Sequence, residues 1–218
     1  MHVNETRINV KRKLYSPGIS PSLELTLWIA LAIPLLISFF DLYRIYRGIP
    51  GSIFLPQWVP MKAVTAYGFI ITVAALISIH LHFKAIIRKS IGWILIITVL
   101  SLGLVTLLSY VPHFFSGFAK IPLANDFLSP GNRMAFLTCT GFLLLGCSMV
   151  MLFFNKANAA HIIILALALL TYFFILSFVL GVNASRNSGY PAASINTSIA
   201  FAAICTAMLA IRPDSIIV

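Results

Sequence analysis

Six long apolar stretches run through this chain, and they constrain its fold more than any other feature of the sequence. A helix needs roughly 20 mostly apolar residues to cross a bilayer, and each stretch is close to that length. Only 9% of the residues are charged, whereas an ordinary soluble domain has about 25%. Backbone amides in lipid must be bonded within the segment or to a neighbour. We therefore predict an all-α, multi-pass integral membrane protein with six transmembrane helices.

The predicted spans are separated by polar or turn-forming segments. They cover residues 23–42, 62–83, 91–111, 133–154, 161–182 and 194–211. Residues 1–22 form a basic N-terminal arm, residues 23–212 form the six-helix transmembrane domain, and residues 213–218 form a C-terminal stub. Pro34 lies inside the first span and predicts a kink there.

The basic residues between the spans indicate the orientation. With the N-terminus inside, nine Lys and Arg residues lie on the inner side and six on the outer side. This excess predicts that both termini are cytoplasmic. The membrane is expected to be the cell's inner (plasma) membrane. The inner connectors, 84–90 and 155–160, are short, and the outer ones, 43–61, 112–132 and 183–193, are longer. We therefore expect three helical hairpins with long outer loops. A role in nucleic-acid binding is not expected, because the formal charge of +10 is already explained by topology.

A short repeat opens the second, fourth and sixth spans. In each copy a Thr is followed by a small residue, and a Phe comes four positions after the Thr. Residues four apart lie on one helix face, and a small residue lets a neighbouring helix approach closely. The pattern predicts either a ligand-facing ring near the outer surface or a packing seam shared by the three hairpins. The residues concerned are Thr65, Phe69, Thr138, Phe142, Thr197 and Phe201.

The repeat also carries a family resemblance. Two copies have a Met four residues before the Thr, and the last span ends in Arg212-Pro213-Asp214. This pattern resembles the membrane-spanning input regions of bacterial sensor histidine kinases and diguanylate cyclases, in which a similar Arg-Pro-Asp leads into the cytoplasmic signalling part. The third copy departs from the pattern, with Ala193 in place of Met and Ser198 in place of Ala.

The resemblance implies a sensory input module of a two-component or related signalling system. It implies that a stimulus passes through the last helix to a cytoplasmic output, and that the module has no enzymatic activity of its own. Any kinase or cyclase activity would lie in a part absent from these 218 residues. A homodimer is expected by analogy with the family.

Residues that could carry chemistry are few. His80 and His82 are two positions apart, so they point about 200° apart on a helix, and at most one of them could face His161. The three cysteines lie within apolar stretches, where Cys usually acts as a small hydrophobic residue. We therefore expect no catalytic residues, no metal site and no cofactor, with a membrane haem protein as a minor alternative.

The carboxylates lie near the ends of the first span. Glu24 is near its start and Asp41 near its end, where an ordinary interfacial ion pair with Arg44 or Arg47 is expected. Ionisable residues within a span mark ion paths by default, and none lies at a span centre. This distribution argues against an ion-coupled pump. A small membrane transporter or channel is the alternative function, because hairpin repeats occur in that class as well.

Overall fold

The computed structural model describes residues 21–49, 61–80, 86–111, 133–180 and 194–211, with only the backbone described for residues 86–89. These segments form six α-helices, which confirms the all-α membrane fold. In chain order they are α1 (Pro21–Tyr46), α2 (Ala63–His80), α3 (Ile86–Leu108), α4 (Phe136–Phe153), α5 (Ala157–Val179) and α6 (Ile195–Ile211).

The first five helices are long and apolar enough to cross a membrane. α6 has 17 residues, so its length is about 26 Å, slightly less than the roughly 30 Å of the hydrocarbon core. The sixth crossing therefore stays a prediction. The N-terminal arm, most of the three outer connectors and the stub after Ile211 lie outside the described residues.

Three helix ends lie four or five residues beyond the predicted bounds, and the other ends differ from them by three residues or fewer. α1 continues to Tyr46, beyond the predicted end at residue 42, and it runs through Pro34. α3 begins at Ile86 and α5 at Ala157, five and four residues earlier than predicted. In α1 and α3 the added turns contain the basic residues Arg44 and Arg88, which hydropathy assigns to connectors although the helix continues through them. In α5 the added turn is Ala-Asn-Ala-Ala, whose three alanines favour a helix.

Two helices end in the same backbone motif. Gly48 follows α1 with a φ of 66°, and Asn155 follows α4 with a φ of 60°. The amide of Ile49 then bonds back to the Arg44 carbonyl at 3.1 Å, and the amide of Lys156 bonds back to the Met151 carbonyl at 2.8 Å. This is the Schellman arrangement, in which a left-handed residue turns the chain sharply away from the helix axis. At Asn155 it makes α4 and α5 antiparallel neighbours joined by a very short turn.

The helices form a closed bundle. Each helix packs against its neighbours in sequence, α1 packs against α6, and α2 also touches α4 and α6 across the centre. Burial separates the helices into two classes: half of the apolar segment is buried in α2 and α4, but only 28% in α1 and α3 and 17% in α5. The even-numbered helices therefore form the centre, while the odd-numbered ones present apolar side chains to lipid.

α6 is the most enclosed helix of the bundle. Its residues that are not buried recur at alternating steps of four and three, which places them along one narrow stripe of the helix. The rest of its surface contacts other helices. The stripe consists of Ile195, Ile199, Ala202, Thr206 and Leu209.

Candidate functional site

The three phenylalanines of the repeat meet at the centre of the bundle. The ring centroids of Phe69 and Phe142 are 5.0 Å apart, those of Phe69 and Phe201 are 4.9 Å apart, and those of Phe142 and Phe201 are 5.3 Å apart. The rings are inclined to one another, which suits the quadrupole of aromatic pairs. All three side chains are buried. We call this group the Phe triangle. It joins α2, α4 and α6 at one point.

Glycines make the close approach of these rings possible. A Cβ atom placed on Gly68 would lie 2.7 Å from Cζ of Phe142, and one placed on Gly141 would lie 2.6 Å from Cζ of Phe201. Real Cβ atoms do not come this close to another heavy atom. Phe142 of α4 therefore packs against Gly68 of α2, and Phe201 of α6 packs against Gly141 of α4. In both contacts the glycine directly precedes a phenylalanine of the repeat, so the same contact occurs twice between the central helices.

The three threonines lie one turn before the phenylalanines, on the same faces of the central helices. Thr65, Thr138 and Thr197 are 2%, 3% and 3% exposed. Thr197 also belongs to the start of α6: its amide donates to Oγ of Ser194 at 3.1 Å, and the two hydroxyls are 2.8 Å apart. Ser194 is thus the N-cap of the helix. The predicted residues are brought together as a buried set that spans three helices.

A small cavity lies next to two of the threonines. It is bounded by α4, α5 and α6, and its volume is about 10 Å³, which is at the lower limit for one water molecule. In this packing the cavity has no room for a larger ligand. Its polar lining consists of Thr138, Thr171, Thr197 and Ser198.

A buried polar cluster links the first helix to the last. Nε of Arg44 donates to Oδ1 of Asp41 at 3.3 Å, and Nη1 of Arg44 donates to the Ile49 carbonyl at 3.0 Å. Across the seam between the helices, Nδ2 of Asn196 donates to Oδ2 of Asp41 at 2.9 Å. The side chains of Asp41 and Arg44 are 0% and 6% exposed. We call this group the α1–α6 clamp.

The clamp confirms one part of an expectation and corrects the other. The expected ion pair of Asp41 with Arg44 is present, but it is not an ordinary interfacial pair, because the carboxylate is enclosed by protein and is shared between Arg44 and Asn196. The physical reason is that α1 continues past Asp41 and packs against α6, so the carboxylate faces another helix instead of the membrane surface. The sequence did contain a signal for this partner, since Asn196 is a polar residue directly before the Thr of the third repeat.

Two further polar contacts join neighbouring helices. The hydroxyl of Tyr110, after α3, donates to the Met134 carbonyl before α4 at 2.6 Å, and the guanidinium of Arg133 lies 4.1 Å from the centre of the Tyr110 ring. At the opposite end of the bundle, Oγ of Ser148 in α4 donates to the Ala160 carbonyl in α5 at 3.0 Å. These contacts hold α3, α4 and α5 in register.

The remaining chemistry-bearing residues are dispersed. The ring of His80 packs edge-on against Trp28 with centroids 5.9 Å apart, and His161 is buried in α5. Within the segments that the structure describes, no three His, Cys, Asp or Glu residues are grouped so that they could hold a metal ion. The three cysteines are free thiols, two of them buried and one exposed. His2, His82 and His113 lie outside the described residues.

No protein-family model, no curated protein and no solved structure matches this chain.

Proposed function

We propose that this chain is the sensory input module of a bacterial signalling system and has no enzymatic activity of its own. A stimulus at the outer side of the bundle would shift the packing of the hairpins, and α6 would pass that shift to a cytoplasmic kinase or cyclase. The observation that carries the proposal is the Phe triangle, because it joins the last helix to the other two central helices at one point. The resemblance of the repeat and of Arg212-Pro213-Asp214 to input regions supports it as well.

The α1–α6 clamp supports a route for the signal. Three hydrogen bonds in series connect the Ile49 carbonyl, just after α1, to Arg44, then to Asp41 and then to Asn196 in the first turn of α6. A ligand, a lipid or a change in the membrane that displaces the outer connector would pull on this series. The bundle would then redistribute between two packings, and only a stimulus that favours one of them could drive the output.

The proposal includes a location and partners. We propose that both termini lie in the cytoplasm, because basic residues are in excess in the segments assigned to that side. The bacterial inner membrane as the location rests on the family resemblance. Homodimerisation and a cytoplasmic kinase or cyclase partner rest on the family resemblance.

The test is a chimera in which a histidine-kinase output follows Val218. Thr197→Val removes the hydroxyl that contacts Ser194 while keeping the size of the side chain, and Thr65→Val and Thr138→Val alter the other two copies. We expect at least one of these variants to change kinase output by about fivefold or more, the range of a typical coupling energy.

Thr206→Val is the matched control. Thr206 lies on α6 itself, but its side chain is exposed and its hydroxyl donates to the Ala202 carbonyl of its own helix at 3.0 Å. This variant should leave the output unchanged. If the three repeat variants and the control behave alike in a membrane-inserted chimera, the sensory proposal is wrong.

A small transporter or channel is the second candidate, and one observation favours it. The enclosed Asp41 is an ionisable residue within a membrane helix, which is a feature of ion pathways. Two measurements in proteoliposomes would support this function: uptake of radiolabelled Na⁺, or proton uptake reported by a pH-sensitive dye. In either case Asp41→Asn should abolish the uptake. Such uptake would also exclude a purely sensory role.

A further inference from the structure

Two buried oxygen atoms next to the clamp carry the inference. Oγ of Ser38 and Oδ1 of Asn196 have no hydrogen-bond partner among the described residues, although their side chains are 0% and 1% exposed. Buried polar groups in proteins are nearly always paired with protein or with an ordered water molecule. Two buried polar oxygens without a protein partner, one on each of the helices that meet at Asp41, therefore mark a candidate binding site.

The geometry places both oxygens around Asp41. Ser38 lies one turn before Asp41 on the same face of α1, and helical side chains lean toward the N-terminus, so the carboxylate leans toward the turn of Ser38. The Ser38 hydroxyl nevertheless makes no hydrogen bond to the carboxylate. On the other side, Asn196 donates through Nδ2 to Oδ2 of Asp41, and its Oδ1 diverges from that bond.

The charges around Asp41 indicate which kind of ligand the site binds. Asp41 is already paired with Arg44, and it also faces the first turn of α6, where the helix dipole is positive. An added cation would leave an excess positive charge enclosed within the membrane, which is unfavourable. The unused groups are a carbonyl oxygen, which only accepts, and a hydroxyl, which donates and accepts. A neutral molecule that both donates and accepts hydrogen bonds satisfies both groups.

We propose that Ser38, Asp41 and Asn196 together form a binding site for one water molecule, which bridges α1 and α6. The water donates to Oδ1 of Asn196 and exchanges a hydrogen bond with Oγ of Ser38. It completes the clamp, so that the seam between the first and last helices is held by a hydrated polar contact. This site does not depend on the signalling role of the chain.

Radiolytic footprinting of the full chain in lipid nanodiscs, with rapid mixing into H₂¹⁸O, tests the site. Hydroxyl radicals formed from a bound water label the side chains next to it, here Leu35 and Leu42, which neighbour Ser38 on the helix. We expect ¹⁸O on these leucines in the wild-type protein, appearing more slowly than on residues in contact with bulk water. Asn196→Leu should abolish the label.

Thermal unfolding gives an independent readout. If Ser38 holds a bridging water, Ser38→Ala lowers the melting temperature by several degrees, because the water is lost and with it the hydrogen-bond partner of Oδ1 of Asn196. If the Ser38 hydroxyl is simply unpaired, the same change is neutral or raises the melting temperature. Ser101→Ala is the control, since the Ser101 hydroxyl donates to the Thr98 carbonyl in its own helix at 2.9 Å, and it should have no effect.

Three results would overturn the proposal. The first is a wild-type protein without label on Leu35 and Leu42. The second is a melting temperature of the Ser38→Ala variant that equals or exceeds that of the wild type. The third is a melting temperature of the wild-type protein that rises with added Na⁺ but not with added choline, together with loss of this rise in the Asn196→Leu variant. This result would identify a bound cation in place of water.

Discussion

At the scale of single residues, the Phe triangle depends on two glycines as much as on the phenylalanines. Gly68 and Gly141 each sit under the ring of a phenylalanine from another helix. In both cases the glycine comes directly before a phenylalanine of the repeat. The third copy has Ala200 at this position, which is also buried. The repeat therefore encodes a small residue directly before each phenylalanine of the Phe triangle.

The first prediction concerns Gly141. A methyl group there would lie 2.6 Å from Cζ of Phe201 and 3.0 to 3.1 Å from two other atoms of the ring, so the ring must move out of the triangle. We expect Gly141→Ala to lower the free energy of unfolding by about 1–3 kcal/mol, the usual range for overpacking. Equilibrium unfolding in mixed detergent micelles measures it.

Gly92→Ala is the matched control for Gly141. Gly92 is also helical, but its Cβ would meet Ser78 and Phe153 at 3.8 and 3.9 Å, which is ordinary contact. Alanine favours a helix over glycine by about 0.5–1 kcal/mol, so Gly92→Ala should be neutral or stabilising. Equal destabilisation by both changes would show that the close approach at Phe201 is not what makes Gly141 necessary.

At the scale of elements, the end of α1 positions the clamp. Gly48 has a φ of 66°, and the turn it makes brings Ile49 back over the last turn of the helix. The carbonyl of Ile49 then accepts from Nη1 of Arg44. Without this turn, Arg44 would lack the contact that holds its guanidinium beside Asp41. The sequence signal for such an end, a glycine after an apolar helix, is visible at residues 46–49.

The second prediction concerns Gly48. A Cβ placed on Gly48 meets nothing within 4 Å, so the only penalty of Gly48→Ala is the left-handed backbone. We expect a loss of about 1–2 kcal/mol in the free energy of unfolding. Gly48→Asn should lose less, because asparagine tolerates this conformation better than alanine does. Thermal unfolding of the three proteins in the same lipid checks the order, and an alanine variant at least as stable as the asparagine variant contradicts it.

At the scale of the whole molecule, the contact between α1 and α6 closes the bundle. Its polar part links residues 41 and 196, which are 155 positions apart. This hydrogen bond favours the observed packing of α1 against α6 over other helix orders, because a different order would leave the Asp41 carboxylate facing an apolar helix or lipid. The clamp thus favours one circular order of the six helices.

The third prediction concerns Asp41. Asp41→Asn removes the charge that pairs with the buried Arg44 and leaves the guanidinium without its counter-ion. Breaking a buried pair in this way costs about 3–5 kcal/mol, and we expect the lower end of that range because the clamp lies near the C-terminal end of α1, at one end of the bundle. Unfolding in SDS-containing micelles measures the loss. Glu24→Gln, on the exposed start of α1, should lose no more than about 1 kcal/mol; similar losses for both variants would contradict the role of the clamp.

The sequence by itself determined the six helices, their approximate bounds and the repeat whose residues meet at the centre. It could do so because the length of an apolar run and the spacing along one helix face are local properties. Only the tertiary structure decided that α2, α4 and α6 are enclosed, since lipid chains are as apolar as a protein core and hydropathy does not distinguish the two surroundings. It also decided that Asp41 is buried against Asn196, because no local pattern records which distant helix a side chain will face.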